Sequence, residues 1–245
     1  MVVDSDPGTK RSGAPLVCTT CTVRSLCIGH DSDAAGLRQL NDAVERRLSL
    51  AAGDFLYRSN DPFRGLFAVH AGCLMHSMRD SRGREQVMGF HLTGDVVGVA
   101  GIGPQVYLFD MRALEPSEVC ELSFDRLEDI AARVPALRQN IVRIFGRYRN
   151  RDAMTQSLRR GEGAGARLAG FLLDFSRRFE RRGFDPSRVR LPMSEAELAS
   201  YLGLEVADVE REFARLGERG VARLSGRMVE ISDIRILQTL GASGA

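Results

Sequence analysis

The feature that most constrains this chain is a helix, a short turn and a second helix over residues 194–217. Ser194 followed three residues later by Glu197 forms a capping box, which predicts that the first helix begins there. Gly203 tolerates a left-handed turn and lets the second helix approach closely. The second helix, about 205–217, has apolar residues at helical spacing on its predicted buried side, namely Val206, Val209, Phe213 and Leu216.

The opposite face of this second helix is the candidate reading surface for double-stranded DNA. It carries four residues that could reach bases or phosphates: Ala207, Glu210, Arg211 and Arg215. Residues 221–231 then have the pattern of a β-hairpin with a tight turn. A helix-turn-helix followed by a hairpin is a winged helix, so the pattern favours DNA binding, although several acidic residues share the reading helix.

The charge distribution agrees with a C-terminal nucleic-acid surface. Residues 1–140 contain 15 basic and 18 acidic residues, whereas residues 141–245 contain 19 and 14. The basic excess therefore lies with the winged helix. All but one of the basic residues are arginine, which a GC-rich coding bias explains as well as function does.

Short apolar runs separated by turn residues occupy the chain from Leu50 to about Asp125. This texture predicts several short strands in a β-sandwich or barrel. A helical stretch follows to about Leu158, and a second helix is predicted over 164–182 after a glycine-rich linker.

Three of five cysteines crowd into ten residues, as Cys18, Cys21 and Cys27, while Cys73 and Cys120 stand apart. The N-terminus has no secretory signal pattern, so a reducing, cytoplasmic compartment is expected, where metal binding is favoured over disulfides. Soft thiolates select iron–sulfur, zinc or copper(I). The spacing alone leaves an iron–sulfur cluster, a zinc site and incidental thiols open.

Taken together, these motifs resemble the FNR branch of the CRP–FNR superfamily over about Leu16 to Leu240. Residues 18–27 resemble its cluster loop and residues 89–98 its β-roll signature. Residues 167–171, 176–179 and 182–184 resemble the start of its DNA-binding domain. The resemblance implies an α+β fold with an N-terminal jelly-roll sensory domain of the cyclic-nucleotide-binding type, a long dimerisation helix and a C-terminal winged helix-turn-helix. The expected segments are a flexible N-terminus with the cysteine loop at 1–30, the β-roll at 31–132, the dimerisation helix at 133–160 and the DNA-binding domain at 161–245.

The resemblance also implies a [4Fe-4S] cluster held by Cys18, Cys21, Cys27 and Cys120, with zinc as the alternative metal. In that family the intact cluster favours a homodimer that binds palindromic promoter DNA. Oxygen, and also nitric oxide, acts on the cluster and weakens binding. The implied dimer seam runs along the long helix and comprises Ile141, Val142, Phe145, Arg149 and Asp152.

Two further expectations concern partners. The turn at Arg82, Gly83 and Arg84 corresponds to a surface that the family uses against RNA polymerase. Cyclic-nucleotide binding is not expected, because Gly94 begins a Gly-Asp-Val-Val stretch where nucleotide-binding relatives use Gly-Glu-Leu with a nearby arginine. The reading helix also departs from the family's Glu-x-x-Ser-Arg: Ala207 replaces the glutamate and Glu210 the serine, while Arg211 remains.

Other classes of protein are less well supported. A zinc-stabilised or thiol-based CRP-like regulator with a different effector is the main alternative. An enzyme is not expected, because the four histidines are scattered and no nucleophile elbow or phosphate loop occurs. No run of 18 or more apolar residues exists, so no membrane partner is expected.

Overall fold

The computed structural model describes residues 10–11, 17–160 and 163–242. Most of the predicted N-terminal segment (1–9 and 12–16) and part of the predicted linker (161–162) lie outside the described residues. The N-terminal elements are β1 Lys10–Arg11, α1 Ala34–Ala43, β2 Val44–Leu50, β3 Phe55–Tyr57, β4 Leu66–Ala71, β5 Cys73–Arg79, β6 Glu85–Leu92, β7 Val96–Val97, β8 Asp110–Ala113 and β9 Ser117–Leu122. The remaining elements are α2 Phe124–Ala131, α3 Pro135–Arg160, α4 Ala164–Glu180, β10 Arg188–Arg190, α5 Glu195–Leu202, α6 Val206–Glu218, β11 Ala222–Ser225, β12 Met228–Ile231 and α7 Ile234–Ala242.

Two sheets form a β-sandwich, which confirms the predicted α+β class and N-terminal β-roll. One sheet has the strand order β1-β2-β9-β4-β7 and the other β3-β8-β5-β6. Both contribute alternate residues to a common core, which includes Leu48, Val69, Leu74, Met111 and Val119. The apolar residues that the sequence placed between turn signals therefore face inward between the sheets.

The other face of the five-stranded sheet is covered by helices. Leu66, Ala68 and Leu122 project from it into a second core with residues of α1, α2 and α3. This second core matters for function because Cys18, Cys27 and Cys120 pack against it.

The helical boundaries around this core differ in two places from the sequence prediction. Leu37, Leu40, Val44 and Leu48 stand near helical spacing in the sequence, which predicts one short helix after the cysteine segment. In the structure α1 ends at Ala43, and Leu48 lies in strand β2. The predicted helix over 125–158 is two helices, because a break at 132–134 separates α2 from α3. Pro135 occupies the first position of α3, where its missing N–H costs no hydrogen bond.

Residues 81–87 and 150–245 group as a compact unit distinct from residues 1–80 and 88–149. Within it, Ser194 and Glu197 form the predicted capping box, and Gly203 ends α5 in the left-handed region at φ +65°. The wing is a three-stranded sheet of order β10-β12-β11. Sequence analysis predicted β11 and β12 but missed β10 and α7. It was also wrong about Val206, whose side chain is exposed at the start of α6.

One side of helix α3 is buried and another side is exposed. Leu137 and Ile144 are buried, whereas Val142 is 65% exposed and Phe145 40% exposed. An exposed valine and phenylalanine three residues apart lie on one helix face, which leaves an apolar strip in the isolated chain. No described helix is long and apolar enough to cross a membrane.

Candidate metal centre and nucleic-acid interface

The outer face of the five-stranded sheet provides the floor of the first candidate site. Cys120 on β9 is paired with Arg47 on β2 and with Ala68 on β4. Directly paired residues of neighbouring strands project to the same face. The small Ala68 side chain leaves room beside Cys120 on this face.

The cysteine loop covers that floor. A short 3₁₀ turn over Cys18–Thr20 and further turns bring Cys21 and Cys27 back toward the sheet. The Cys18 amide donates to Oδ1 of Asn41 on α1 at 3.2 Å. The fully buried Asn140 of α3 donates from Nδ2 to the Ile28 carbonyl at 3.0 Å.

Asn140 also donates to the carbonyl of His30, and its own Oδ1 accepts from Nη1 of Arg143 at 3.0 Å. Arg143 lies 3.7 Å from the Asp31 carboxylate. The residues immediately after Cys27 are therefore tied to helix α3 by a chain of polar contacts. This connection was not visible in the sequence, because 110 or more residues separate the partners.

Four cysteines line one pocket that is partly open to solvent, here called the cysteine cavity: Cys18, Cys21, Cys27 and Cys120. These are the four residues predicted as metal ligands. Cys73 is fully buried at the start of β5 and does not line this cavity. The strand pairing and the folded loop thus bring Cys120 to the other three across more than 90 residues of sequence.

The electrostatics of the cysteine cavity oppose thiolate charge when no cation compensates it. Burial raises the pKa of Cys18 to about 12, with smaller contributions from Cys27 and Cys21. Burial likewise raises the pKa of Cys120 to about 12 and that of Cys27 to about 11. The thiols of Cys18, Cys27 and Cys120 would therefore remain protonated at neutral pH until a metal group displaces their protons.

The four-thiol donor set fits either of two metal groups. In proteins, Cys₄ sets bind a tetrahedral zinc ion or an iron–sulfur cluster. Among the described residues, no group of three or more His, Cys, Asp or Glu side chains is close enough together to hold a metal ion. The donor chemistry of the cysteine cavity therefore suits both groups and does not distinguish between them.

Two further side chains lie near these thiols, and neither was predicted from the sequence: His70 lines the cysteine cavity, and Arg47 is the cross-strand neighbour of Cys120. Nδ1 of His70 lies 3.7 Å from Sγ of Cys21. Arg47 lowers the pKa of Cys120 by its charge, against the larger effect of burial. Burial, followed by the Arg47 charge, lowers the pKa of His70. Because successive side chains of a strand point to opposite faces, the sequence could have predicted that Arg47 points away from the core that contains Leu48. Only the β2–β9 register identifies Cys120 as the neighbour of Arg47.

The second candidate site is the exposed face of α6. All four predicted DNA-contacting residues are exposed there: Ala207, Glu210, Arg211 and Arg215. Val209, Phe213 and Leu216 are buried on the opposite side and hold α6 against its domain. A helix fixed by one apolar face and exposing polar side chains on the other has the form of a major-groove reader.

Both arginines of this face have acidic neighbours on the same helix. Nη1 of Arg211 lies 2.8 Å from Asp208, and Nη1 of Arg215 lies 2.7 Å from Glu212. Exposed pairs of this kind contribute roughly 0–1 kcal/mol, so phosphate or guanine contacts can replace them. The pairs also hold the guanidinium groups near the exposed face before DNA arrives.

The β-roll contains a second cavity, which is separate from the cysteine cavity. Its polar side chains are Tyr57, His76, His91, Tyr107 and Tyr148, and its lining among the described residues includes no arginine or lysine. Nε2 of His91 lies 2.8 Å from Nδ1 of His76, and the rings of Tyr57 and Tyr107 stack with centroids 3.8 Å apart. Such a lining offers no cation to a phosphate group.

The remaining predicted residues lie on the β5–β6 turn and on helix α3. Arg82, Gly83 and Arg84 form the exposed turn between β5 and β6, where Gly83 has φ +76°. On α3, Arg149 is exposed, while Ile141 and Asp152 are partly buried.

The fold and the reading helix define a CRP-like transcription regulator, and comparisons with known proteins agree. Residues 47–134 match the family model of the cyclic nucleotide-binding domain, and residues 166–240 match the Crp-like helix-turn-helix domain. The structure of FixK2 from Bradyrhizobium japonicum is similar with a TM-score of 0.73 and 25% identity, covering 81% of this chain and 98% of that one.

Curated relatives narrow the class. The chain is 35% identical to the transcriptional activator protein FnrA of Stutzerimonas stutzeri, over 91% of this chain and 90% of the relative. It is 33% identical to the fumarate and nitrate reduction regulatory protein of Escherichia coli, over 90% and 88%. The chain therefore belongs to the FNR branch of the CRP–FNR transcription regulators, a family of regulators and not of enzymes.

Proposed function

We propose that this regulator responds to oxygen through a [4Fe-4S] cluster bound by Cys18, Cys21, Cys27 and Cys120. With the cluster it acts in the cytoplasm as a homodimer on palindromic promoter DNA, and without it binding falls. The observation that carries the proposal is the cysteine cavity, in which a loop and a distant strand contribute four thiols to one space. Nitric oxide is a second expected signal, since it attacks the same type of group.

When bound, the cluster would supply the oxygen-reactive centre and would tie the loop to strand β9. The chain's part is to carry a change in that loop to the dimer face. Asn140 provides the route, because it holds the carbonyls of Ile28 and His30 from a helix whose next turn exposes Val142 and Phe145. A shift of a few kcal/mol in a monomer–dimer equilibrium changes promoter occupancy by orders of magnitude.

The dimer matters because each protomer contributes one reading helix. Two such helices related by a two-fold axis reach successive major-groove faces, so the expected site is a palindrome. The proposed seam comprises Ile141, Val142, Phe145, Arg149 and Asp152. The exposed turn Arg82–Gly83–Arg84 is the proposed contact with RNA polymerase.

Within each half-site, Arg211 is the proposed reader of guanine through its bidentate guanidinium group. Glu210 would accept from a cytosine amino group, and Arg215 would contact phosphate. Ala207 has no polar group to offer, so the half-site should differ from one read by a glutamate at that position.

Replacing Arg211 by alanine should weaken binding to the specific promoter by about 1–3 kcal/mol while leaving non-specific binding nearly unchanged. Arg215→Ala is the matched comparison, since it removes an arginine from the same exposed face. It should weaken binding to all sequences alike and lower the salt dependence by about one counterion. Titrations of both variants at several salt concentrations measure this, and equal losses on specific and random DNA for Arg211→Ala would contradict the assignment.

Cyclic AMP should not bind the β-roll cavity, because its described lining offers no guanidinium or ammonium group to the phosphate. The midpoint of thermal unfolding should be the same at two cyclic AMP concentrations that differ about 1,000-fold. A rise that follows ligand concentration would show binding and overturn this expectation.

The direct test of the proposed function is anaerobic purification, with an absorption spectrum and iron and acid-labile sulfide analysis before and after air. A brown protein with about four irons per chain that bleaches in air and then loses promoter binding is the expected result. A colourless protein containing zinc and equally active in air would replace the proposal with a zinc-stabilised or thiol-based regulator. A brown protein whose DNA binding is unaffected by air would retain the cluster but refute the oxygen response.

A further inference from the structure

Arg47 presents a polar atom with no role in the fold. Its Nη2 pairs with the Glu118 carboxylate, and its side chain is 15% exposed. Its Nε is buried and, within the part of the chain that the structure describes, has no hydrogen-bond partner. A buried unsatisfied N–H costs roughly 1–3 kcal/mol, so such a group in a native protein calls for an acceptor.

The position of Arg47 indicates which acceptor that is. Arg47 does not itself line the cysteine cavity, but it is the direct cross-strand partner of Cys120, which does. Directly paired residues project to the same face of a sheet, so the Arg47 side chain lies beside the Cys120 thiol. Sulfur atoms bound to a metal group in the cavity are acceptors that the metal-free chain does not present.

His70 approaches the same cavity from the neighbouring strand. The β4–β9 pairing shifts register between Val69 and Ala71, so His70 is the extra residue of a β-bulge. Bulges re-aim side chains and are frequent beside functional sites. Here the bulged residue lines the cysteine cavity, and its Nδ1 lies 3.7 Å from Sγ of Cys21.

We propose that Arg47 and His70 are positioning residues that donate hydrogen bonds to the sulfur atoms of the metal group in the cysteine cavity. Arg47 in addition offsets part of its negative charge. This inference rests on the proposed function for the identity of that group. Four thiolates around an iron–sulfur core leave a net negative charge, and hydrogen-bond donors to the sulfur atoms tune the potential and lifetime of such a group.

The sheet provides a matched control. Arg46 precedes Arg47 on β2 and forms an ion pair with the buried carboxylate of Glu121. In the strand register Arg46 lies opposite Glu121, whereas Arg47 lies opposite Cys120. Removing Arg46 breaks an ion pair with a more deeply buried carboxylate than Glu118. If both arginines had only a structural role, Arg46→Met would therefore shorten the lifetime of the metal group in air at least as much as Arg47→Met.

The experiment compares anaerobically reconstituted wild type with Arg47→Met, Arg47→Lys, His70→Phe, His70→Gln and Arg46→Met. Arg47→Met and His70→Phe should each lose visible absorption in air at least about tenfold faster, because outer-shell partners typically change metal-site affinity 10–100-fold. The reduction potential should become more negative in Arg47→Met. The conservative variants Arg47→Lys and His70→Gln retain a donor and should recover much of the lifetime, while Arg46→Met should match wild type within about twofold.

Zinc is the probe that separates this inference from the proposed function. Metal-free wild type and variants are titrated with zinc, and the two donor-removing variants should bind it at least about tenfold more weakly. Weaker zinc binding in a chain that never assembles a cluster would keep the inference and refute the proposed function. Wild-type lifetimes, potentials and zinc affinities in Arg47→Met and His70→Phe would overturn the inference, as would a wild-type cysteine cavity that binds neither cluster nor zinc.

Discussion

Cys120→Ser should leave the anaerobically reconstituted protein with at least about tenfold less iron and acid-labile sulfide than wild type, because an alcohol is a far poorer ligand for iron than a thiolate. Cys120 is the one ligand of the proposed set that the β-sheet supplies, and the other three lie on a single loop. Its loss should therefore release the loop from the sheet, and promoter binding without oxygen should fall with the iron content. Iron analysis, absorption spectra and DNA titrations on one preparation measure all three effects.

Cys73→Ser is the control for this change. The Cys73 thiol is fully buried in the sandwich, outside the cysteine cavity, and donates a long contact to the Leu74 carbonyl at 3.7 Å. A buried hydroxyl there should lower the stability of the protein by about 1–3 kcal/mol without removing iron. Full iron content in Cys120→Ser, or loss of iron in a folded Cys73→Ser variant, would refute the assignment of the ligands.

The double variant Val142→Glu and Phe145→Glu should abolish the proposed homodimer at concentrations where wild type associates. The two side chains form the apolar strip exposed on α3. Burying each in an interface contributes roughly 1.5–3 kcal/mol, and a buried uncompensated charge opposes association further. A loss of about 4 kcal/mol raises the dimer dissociation constant roughly a thousandfold. Analytical ultracentrifugation of the reconstituted protein measures it, and palindromic DNA affinity should fall in parallel.

Two other substitutions on α3 test which face forms the seam. Met154→Glu introduces the same charge at another exposed apolar residue, but nine positions beyond Phe145 and so on the opposite side of the helix. It should leave association unchanged. Asp152→Ala, seven positions beyond Phe145 and on its side, should strengthen the dimer in the absence of a cluster, because like charges no longer meet across the two-fold axis. Dissociation by Met154→Glu alone, or equal or weaker association in Asp152→Ala, would place the seam elsewhere.

Local signals in the sequence were sufficient for much of this protein. The capping box at Ser194 and the left-handed position at Gly203 each depend on residues within one turn, so the helix-turn-helix could be predicted from the local amino-acid sequence. The period of the apolar residues likewise predicted the buried side of α6 at Val209, Phe213 and Leu216. The one error there, Val206, lies at the helix end, where periodicity gives the weakest constraint on burial.

Other features depended on long-range pairing and were outside the reach of any local pattern. The third strand of the wing, β10, is only three residues long and is defined by its hydrogen bonds to β12. The resemblance to a family implied that Cys120 joins the cysteine loop. The position of Arg47 beside Cys120 follows only from the β2–β9 register, and the position of His70 in the cysteine cavity follows only from the bulge in β4.

The sequence by itself therefore determined most of the helices and strands, the buried and exposed sides of α6 and the presence of a thiol-rich loop, because helix periodicity, capping and turn chemistry act between near neighbours. The tertiary structure alone decided what surrounds those thiols and how their loop is tied to helix α3 through Asn140. These contacts join residues far apart in the chain, and a single step in strand register would turn each side chain to the other face of the sheet.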